Sequence, residues 1–280
     1  MTHPTYSIVI PVHNEAENLS GPFSSFIKWM NTKGGDVFGG LDNVEIIFAE
    51  DGSTDGTQVL LRCIAPKFLC KVQVLNCEKR LGKGGGFKNG FLHSRNDIVI
   101  LYDADISVSP GQLENLARKM DEGYDIVIGS RNAPGSRFLS FPQFTRFVYG
   151  KVLYILAKLL FFIPFKETQC GFKAFRRRRV APIMHQLVLS GWLFDLELLL
   201  RAYYNNYNIK EIPVVYRFFK VSKIRNIKDP VQVFFDLIRL RARILHYYLI
   251  LPEWGRKFLK KISRFKSRPR EKPTQKNSRN

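Results

Sequence analysis

Asp97-Ile-Val-Ile-Leu-Tyr-Asp-Ala-Asp105 is the stretch on which the reading of this sequence turns. The run from Ile98 to Tyr102 is apolar and rich in β-branched residues, without alternation, which is the pattern of a strand buried on both faces of a sheet. It ends in two carboxylates two residues apart, and the C-terminal ends of strands are where open α/β sheets bind ligands. Period-two geometry turns Asp103 and Asp105 the same way, so together they can hold one hard cation and leave its remaining positions to phosphate oxygens. Alternatively, the two residues simply cap the helix expected to start near Pro110.

Outward from this strand the chain alternates strands and helices. Ser7-Ile-Val-Ile-Pro11, Val44-Glu-Ile-Ile-Phe-Ala-Glu50, Lys71-Val-Gln-Val-Leu-Asn76 and Asp125-Ile-Val-Ile-Gly129 read as further strands. Helical patterns follow His13-Asn14-Glu15 up to about Met30, begin at Gln58, run on to about Ser94, and span Gln112–Asp121. Asn31 to Asn43, with Gly34, Gly35, Gly39 and Gly40, reads as a flexible connection. Strand-helix alternation of this kind predicts an α/β fold with a mostly parallel sheet whose strands end in polar or glycine-rich loops along one edge. Beyond Arg131, Gln169–Phe175 and Lys210–Arg217 read as strands, and Trp192 opens a helix.

The net charge of +20 is unevenly distributed: residues 1–130 carry 12 Lys/Arg against 16 Asp/Glu, and residues 131–280 carry 32 against 8. An anionic partner for the second half follows. Apolar residues interleave with that charge, in Phe144–Phe165 around Lys151 and Lys158, and in Asp229–Leu251 around Arg239, Arg241 and Arg243. This pattern fits an anionic membrane surface better than nucleic acid. Neither stretch is a comfortable transmembrane span, and no signal peptide is read at the N-terminus. The four cysteines lack metal-site spacing, in keeping with a reducing cytosol. The expected organisation is a catalytic domain over 1–228 with interface helices at about 140–165, an amphipathic helix over 229–252, and a basic tail over 253–280 that is disordered at its end.

Other motifs gather at the strand ends. Arg80-Leu-Gly-Lys-Gly-Gly-Gly86 lacks P-loop spacing; it is either a plain loop or a place where backbone N–H groups and Lys83 approach a diphosphate. Asp51, Ser53 and Asp55 are either turn residues or acceptors for a base N–H or a ribose hydroxyl. In this order, Ile10-Pro-Val-His-Asn-Glu15, Asp51-Gly-Ser-Thr-Asp55, Gly82-Lys83 and Asp103-Ala-Asp105 resemble the inverting family 2 glycosyltransferases of GT-A fold. Gly129-Ser-Arg131, Thr168-Gln-Cys-Gly-Phe-Lys-Ala-Phe175, Trp192-Leu-Phe-Asp-Leu-Glu-Leu-Leu199, Glu211-Ile-Pro-Val and Ser222-Lys223 look like the dolichyl-phosphate β-glucosyltransferases and polyprenyl-phosphate mannosyltransferases within it.

The resemblance covers roughly residues 5 to 250 and implies transfer of a hexose, glucose from UDP-glucose before mannose from GDP-mannose, to a dolichyl or polyprenyl phosphate at the cytosolic face of a membrane, by a peripheral or monotopic enzyme. It implies nucleotide contacts from Pro11, Glu15, Asp51, Ser53 and Lys83, and Mg²⁺ or Mn²⁺ on Asp103 and Asp105. Arg131, Arg146, Ser222 and Lys223 would receive the acceptor phosphate. Asp195 stands where relatives with other acceptors place a base, and it reads equally as an aspartate bonding backbone N–H groups at a helix start. Two departures, Ser107 for a common Gln and His13 for a common Tyr or Phe, leave the third metal ligand and the nucleobase open. A family 2 enzyme with a glycan acceptor and a non-catalytic basic membrane- or nucleic-acid-binding protein are the rival readings.

Overall fold

The structure, a computed structural model, describes residues 3–140, 144–217 and 228–249. The chain runs β1 (Tyr6–Val12), α1 (Ala16–Ser20), α2 (Phe23–Trp29), α3 (Gly35–Phe38), β2 (Val44–Asp51), α4 (Thr57–Ile64), β3 (Lys71–Cys77), α5 (Lys83–His93), β4 (Ile98–Tyr102), α6 (Gln112–Asp121) and β5 (Ile126–Ser130). It continues with β6 (Arg137–Phe138), α7 (Phe144–Phe161), β7 (Phe172–Arg176), α8 (Arg177–Gln186), α9 (Phe194–Tyr204), β8 (Ile209–Pro213), β9 (Val215–Tyr216) and α10 (Lys228–Leu249). Two compact units divide the chain at Asp236/Leu237, and the described part of the second is the C-terminal stretch of α10.

Seven strands form one sheet in the order β3-β2-β1-β4-β7-β5-β8. All pairings are parallel except those of β7, which lies antiparallel between β4 and β5 with Tyr102 opposite Phe172 and Leu101 opposite Lys173. The mixed, mostly parallel sheet agrees with the expectation from sequence. Lys210–Arg217, expected as one strand, is two: β8 in the main sheet and β9 paired with β6.

Alternation along the strands assigns the two faces. Tyr6, Ile8, Ile10, Ile100, Tyr102 and Phe172 join one core with Phe23 and Phe26 of α2, Leu61 of α4 and Leu113 of α6. The Phe26 and Tyr102 rings stack there at 5.1 Å. On the opposite face Phe87 of α5 meets Phe175 of β7 at 5.5 Å and Phe194 of α9 at 5.9 Å. Burial of each such ring contributes on the order of 2 kcal/mol. Leu101 and Lys173 belong to this second face, and residue 103, two positions beyond Leu101, turns the same way. The face covered by α5, α8 and α9 therefore receives the first carboxylate.

One expectation is overturned. Met30–Gly34 and α3 are helical rather than a flexible connection. Gly34 and Gly35 weaken a helix by about 1 kcal/mol each. Burial of Met30 and of Phe38, whose ring lies 4.7 Å from that of Tyr6, overrides that cost.

Candidate active site

At the end of β4 the chain turns sharply. Ile106 holds φ +53°, rare for a β-branched residue, and its N–H donates to Asp103 O at 3.1 Å. The Ile106 side chain is buried in the core, which offsets a strain of about 1–3 kcal/mol. Ser107 N–H donates to Asp105 Oδ1 at 2.9 Å, and Tyr102 Oη donates to Val108 O at 2.5 Å, so both carboxylates stand on a pinned loop. Burial first, and the neighbouring Asp103 charge second, raise the Asp105 carboxyl above the ordinary aspartate value.

Facing them is Lys83, the first residue of α5, with Nζ 2.7 Å from Asp103 Oδ1. An ammonium at a helix N-terminus opposes the macrodipole, so local helix energetics do not explain it. Burial works to lower the Lys83 value, but Asp103, Asp195 and Asp105 outweigh it and hold the ammonium charged. The Trp192 ring centroid is 5.7 Å from Nζ.

The glycines around Lys83 serve packing. Gly84 and Gly85 donate their N–H groups to Ser190 O at 2.8 and 3.3 Å, so those donors are not the phosphate cradle that the loop suggested. A Cβ at Gly84 would fall on the Phe194 side chain; its absence lets the start of α9 close onto α5. Glu197 accepts from Val188 and Leu189 N–H at 3.1 and 2.8 Å and pairs with Arg201 at 2.8 Å, which folds the loop carrying Trp192 back over the site.

Lys173, in an otherwise apolar strand, is fully buried; its Nζ lies 2.5 Å from Asp195 Oδ1 and 2.6 Å from Cys170 O. Burial raises the Asp195 carboxyl, against the pull of Lys173 and then Lys83. Because β7 is antiparallel to β4, residue 171 falls beside residue 103. A Cβ on Gly171 would coincide with the Asp103 carboxylate, so only glycine seats that side chain here.

The remaining expected residues occupy neighbouring strand ends. Asp51 accepts from Leu81 and Gly82 N–H at 2.5 and 2.8 Å and so anchors the loop entering Lys83. Asn14 and Glu15 N–H donate to Ser53 Oγ at 2.9 Å and Thr57 Oγ1 at 2.8 Å, fastening the loops after β1 and β2 to each other, with Pro11 at the end of β1 beside Gly86. His13 Nδ1 lies 2.8 Å from Asp51 O.

At the end of β5, Arg131 donates from Nε and Nη2 to both Glu167 oxygens at 2.8 and 3.0 Å, and its guanidinium lies over Tyr216 at 5.1 Å. Glu167 thus takes two of its five donors. Burial would raise Glu167, but Arg131 outweighs it and holds the carboxyl below the usual glutamate range. Arg146 lies on α7 with its side chain outside the described set, and Ser222 and Lys223 lie outside the described residues.

From sequence, Gln169–Phe175 reads as a strand and motif, and Glu167, Gly171 and Lys173 have no evident role. A lysine between Phe172 and Ala174 was the available signal, since a buried ammonium requires a partner. Part of the basic excess is also structural: Arg176 donates to Tyr124 O and Met120 O at the end of α6, and Arg177 to Asn96 O.

Asp103 and Asp105 offer hard oxygen donors, and an ammonium already sits against one of them. That donor set fits Mg²⁺ or Mn²⁺ with positions left for diphosphate oxygens. No group of three or more His, Cys, Asp or Glu suited to a metal occurs among the described residues, so further ligands would come from the substrate or from other groups.

Residues 7–181 match the family model described as "Glycosyl transferase family 2". The chain is 30% identical over 248 residues to a dolichyl-phosphate beta-glucosyltransferase of Dictyostelium discoideum, covering 85% of this chain and 74% of that one. It is 30% identical over 213 residues to polyprenol monophosphomannose synthase of Mycolicibacterium smegmatis, covering 75% and 76%. Among solved structures it resembles glucosyl-3-phosphoglycerate synthase from Mycobacterium tuberculosis in complex with Mn²⁺, uridine diphosphate and glucosyl-3-phosphoglycerate, with TM-score 0.58 and 18% identity over 87% of this chain and 79% of that one. That likeness supports the GT-A-like architecture expected from sequence.

Proposed function

The chain belongs to glycosyl transferase family 2, and from that premise we propose that it transfers glucose from UDP-glucose, with inversion, to the phosphate of a dolichyl or polyprenyl lipid at the cytosolic face of a membrane. The observation that carries this reading is the convergence of Asp103, Asp105 and Lys83 at the C-terminal end of β4, a mixed-charge site suited to a cation-bound diphosphate. When bound on the two aspartates, Mg²⁺ or Mn²⁺ would offset the charge that develops on the leaving diphosphate. Pro11, Glu15, Asp51 and Ser53 line the base and ribose side in this reading, and Lys83 the diphosphate.

Supporting a lipid-phosphate acceptor are the names of the Dictyostelium and Mycolicibacterium relatives. A phosphate monoester is already largely dianionic at pH 7, so it needs positioned cations more than a base. Asp195, engaged by buried Lys173, we read as a counter-ion to the two lysines rather than a proton acceptor. Arg131, held by Glu167, with Arg146, Ser222 and Lys223, is assigned the acceptor phosphate.

For membrane attachment the support is α7. Leu153, Ala157 and Phe161 are buried, whereas Val152, Ile155, Leu159 and Phe162 at its C-terminal end are exposed beside Lys151 and Lys158. Such an apolar face flanked by lysines suits the boundary of an anionic bilayer. No helix among the described residues is long and apolar enough to cross a membrane. Residues 1–228 would be the catalytic domain, with 229–252 and the basic 253–280 as attachments.

Mannose from GDP-mannose is the second donor reading, favoured by the mannosyl relative at equal identity. Incubating the full chain with UDP-glucose, GDP-mannose or UDP-N-acetylglucosamine and polyprenyl phosphate, with Mn²⁺ or EDTA, tests both. Transfer from UDP-glucose that stops in EDTA is expected. Transfer to a free glycan but not to the lipid phosphate would overturn the acceptor.

A further inference from the structure

In the structure an ammonium sits against one of the two carboxylates assigned to a divalent ion. Lys83 Nζ is 2.7 Å from Asp103 Oδ1. A dication held by the same carboxylate would come within about 4–6 Å of that ammonium, where like charges repel by several kcal/mol even at an effective dielectric of about 20. Asp103 would hold both cations only against that repulsion. Lys83 is, moreover, held at the wrong end of a helix dipole, and Asp103 is its one ion-pair partner among the described residues. Its stem is flexible, its charge is a point, and the Trp192 ring provides an apolar wall beside it.

We propose that Lys83 is the resident counter-ion of the donor-free enzyme, and that it transfers from Asp103 to a phosphate oxygen as nucleotide and divalent ion arrive together. The inference rests on the reading of Asp103 and Asp105 as the metal-holding pair. Charge balance favours the joint event. Three carboxylates, Asp103, Asp105 and Asp195, face two ammoniums, Lys83 and Lys173, so the site carries one net negative charge when all five are ionised. A dication alone would reverse that sign among two retained lysines. A dication with a doubly charged diphosphate restores it. Metal and nucleotide are thereby coupled through the movement of one side chain, and the coupling is reciprocal.

The test measures Mn²⁺ binding to the full chain by the loss of the free-ion electron paramagnetic resonance signal, with and without UDP, for wild type, Lys83→Met and Lys83→Arg. Wild type is expected to bind Mn²⁺ weakly alone and strongly with UDP. Lys83→Met should bind Mn²⁺ without UDP at least about tenfold more tightly than wild type and gain less from UDP, a change within the usual range of coupling energies. Lys83→Arg should behave like wild type. A gain in affinity cannot arise from a damaged fold, so this readout separates exchange from a structural role. Equal or weaker Mn²⁺ binding by Lys83→Met in the absence of UDP overturns the exchange and leaves the metal assignment standing. Absence of Mn²⁺ binding by wild type even with UDP overturns the metal assignment and the exchange with it. Should Lys83→Met fail to fold, wild-type Mn²⁺ affinity that is indifferent to UDP overturns the coupling by itself.

Discussion

Replacing Gly171 with alanine tests how the fold seats the Asp103 carboxylate. The added methyl would coincide with the Asp103 carboxylate, and its three nearest neighbours are all atoms of that group. Carbon and oxygen need roughly 3.4 Å, so the carboxylate must retreat by more than about 1 Å and give up its 2.7 Å contact with Lys83. A displacement of about 1 Å in a catalytic group costs on the order of 10²-fold in turnover. The fold should lose far less. Gly171 is not among the positive-φ residues, so alanine meets no backbone strain, and overpacking of this kind costs about 1–3 kcal/mol, or roughly 2–10 °C in melting temperature. Initial rates of glucosyl transfer from UDP-glucose to a short polyprenyl phosphate, together with thermal melts, give both quantities. The decisive measurement is the double variant: with Asp103→Ala the methyl has room, so Gly171→Ala should add almost nothing to the loss. Turnover of Gly171→Ala within about threefold of wild type, or losses that multiply in the double variant, would refute the reasoning.

Asp103→Ala or Asp105→Ala should lower turnover by about 10²-fold or more with the melting temperature little changed, and near-normal rates in EDTA would exclude a metal role for the pair. Removing one partner from the Arg131–Glu167 couple should cost about 3 kcal/mol, since it strands a largely buried charge. The folded value of Glu167 lies below its ordinary 4.5, so its contribution is present above that pH and is lost as pH falls through the folded value; the stability gap between wild type and Glu167→Gln should be full at neutral pH and shrink on acidification below 4.5. A gap that widens in acid would contradict the sign. Leu159→Glu with Phe162→Glu should weaken sedimentation with anionic vesicles about tenfold or more and spare transfer to a soluble, short-chain acceptor, whereas unchanged sedimentation would remove α7 from the membrane interface.

What the sequence determined by itself was local. Ile98–Tyr102 announces a buried strand because an unbroken apolar run rich in β-branched residues suits a sheet covered on both faces, and the shared direction of Asp103 and Asp105 at its end follows from period-two geometry. The ordered motifs from Ile10 to Phe175 were enough to identify the family, because each lies in a contiguous stretch that folds as one loop and strand end. The sequence could not say where β7 goes. Only strand pairing places it antiparallel between β4 and β5, and that single insertion sets Gly171 beside Asp103 and aims Lys173 at Asp195. Nor does a glycine-rich stretch reveal what approaches it: the glycines around Lys83 read equally as a plain loop or a phosphate site, and the tertiary structure brings Ser190 and Phe194 against Gly84 and Gly85. Arg131 likewise is assigned by resemblance to an acceptor phosphate, and its partner Glu167, 36 residues away, is recognisable only once the chain has returned to the sheet. Periodicity and turn chemistry act over a few residues and are written in the sequence. Ion pairs and close approaches between distant segments are fixed by which strands exchange hydrogen bonds, and that choice is made only when the whole core is buried at once.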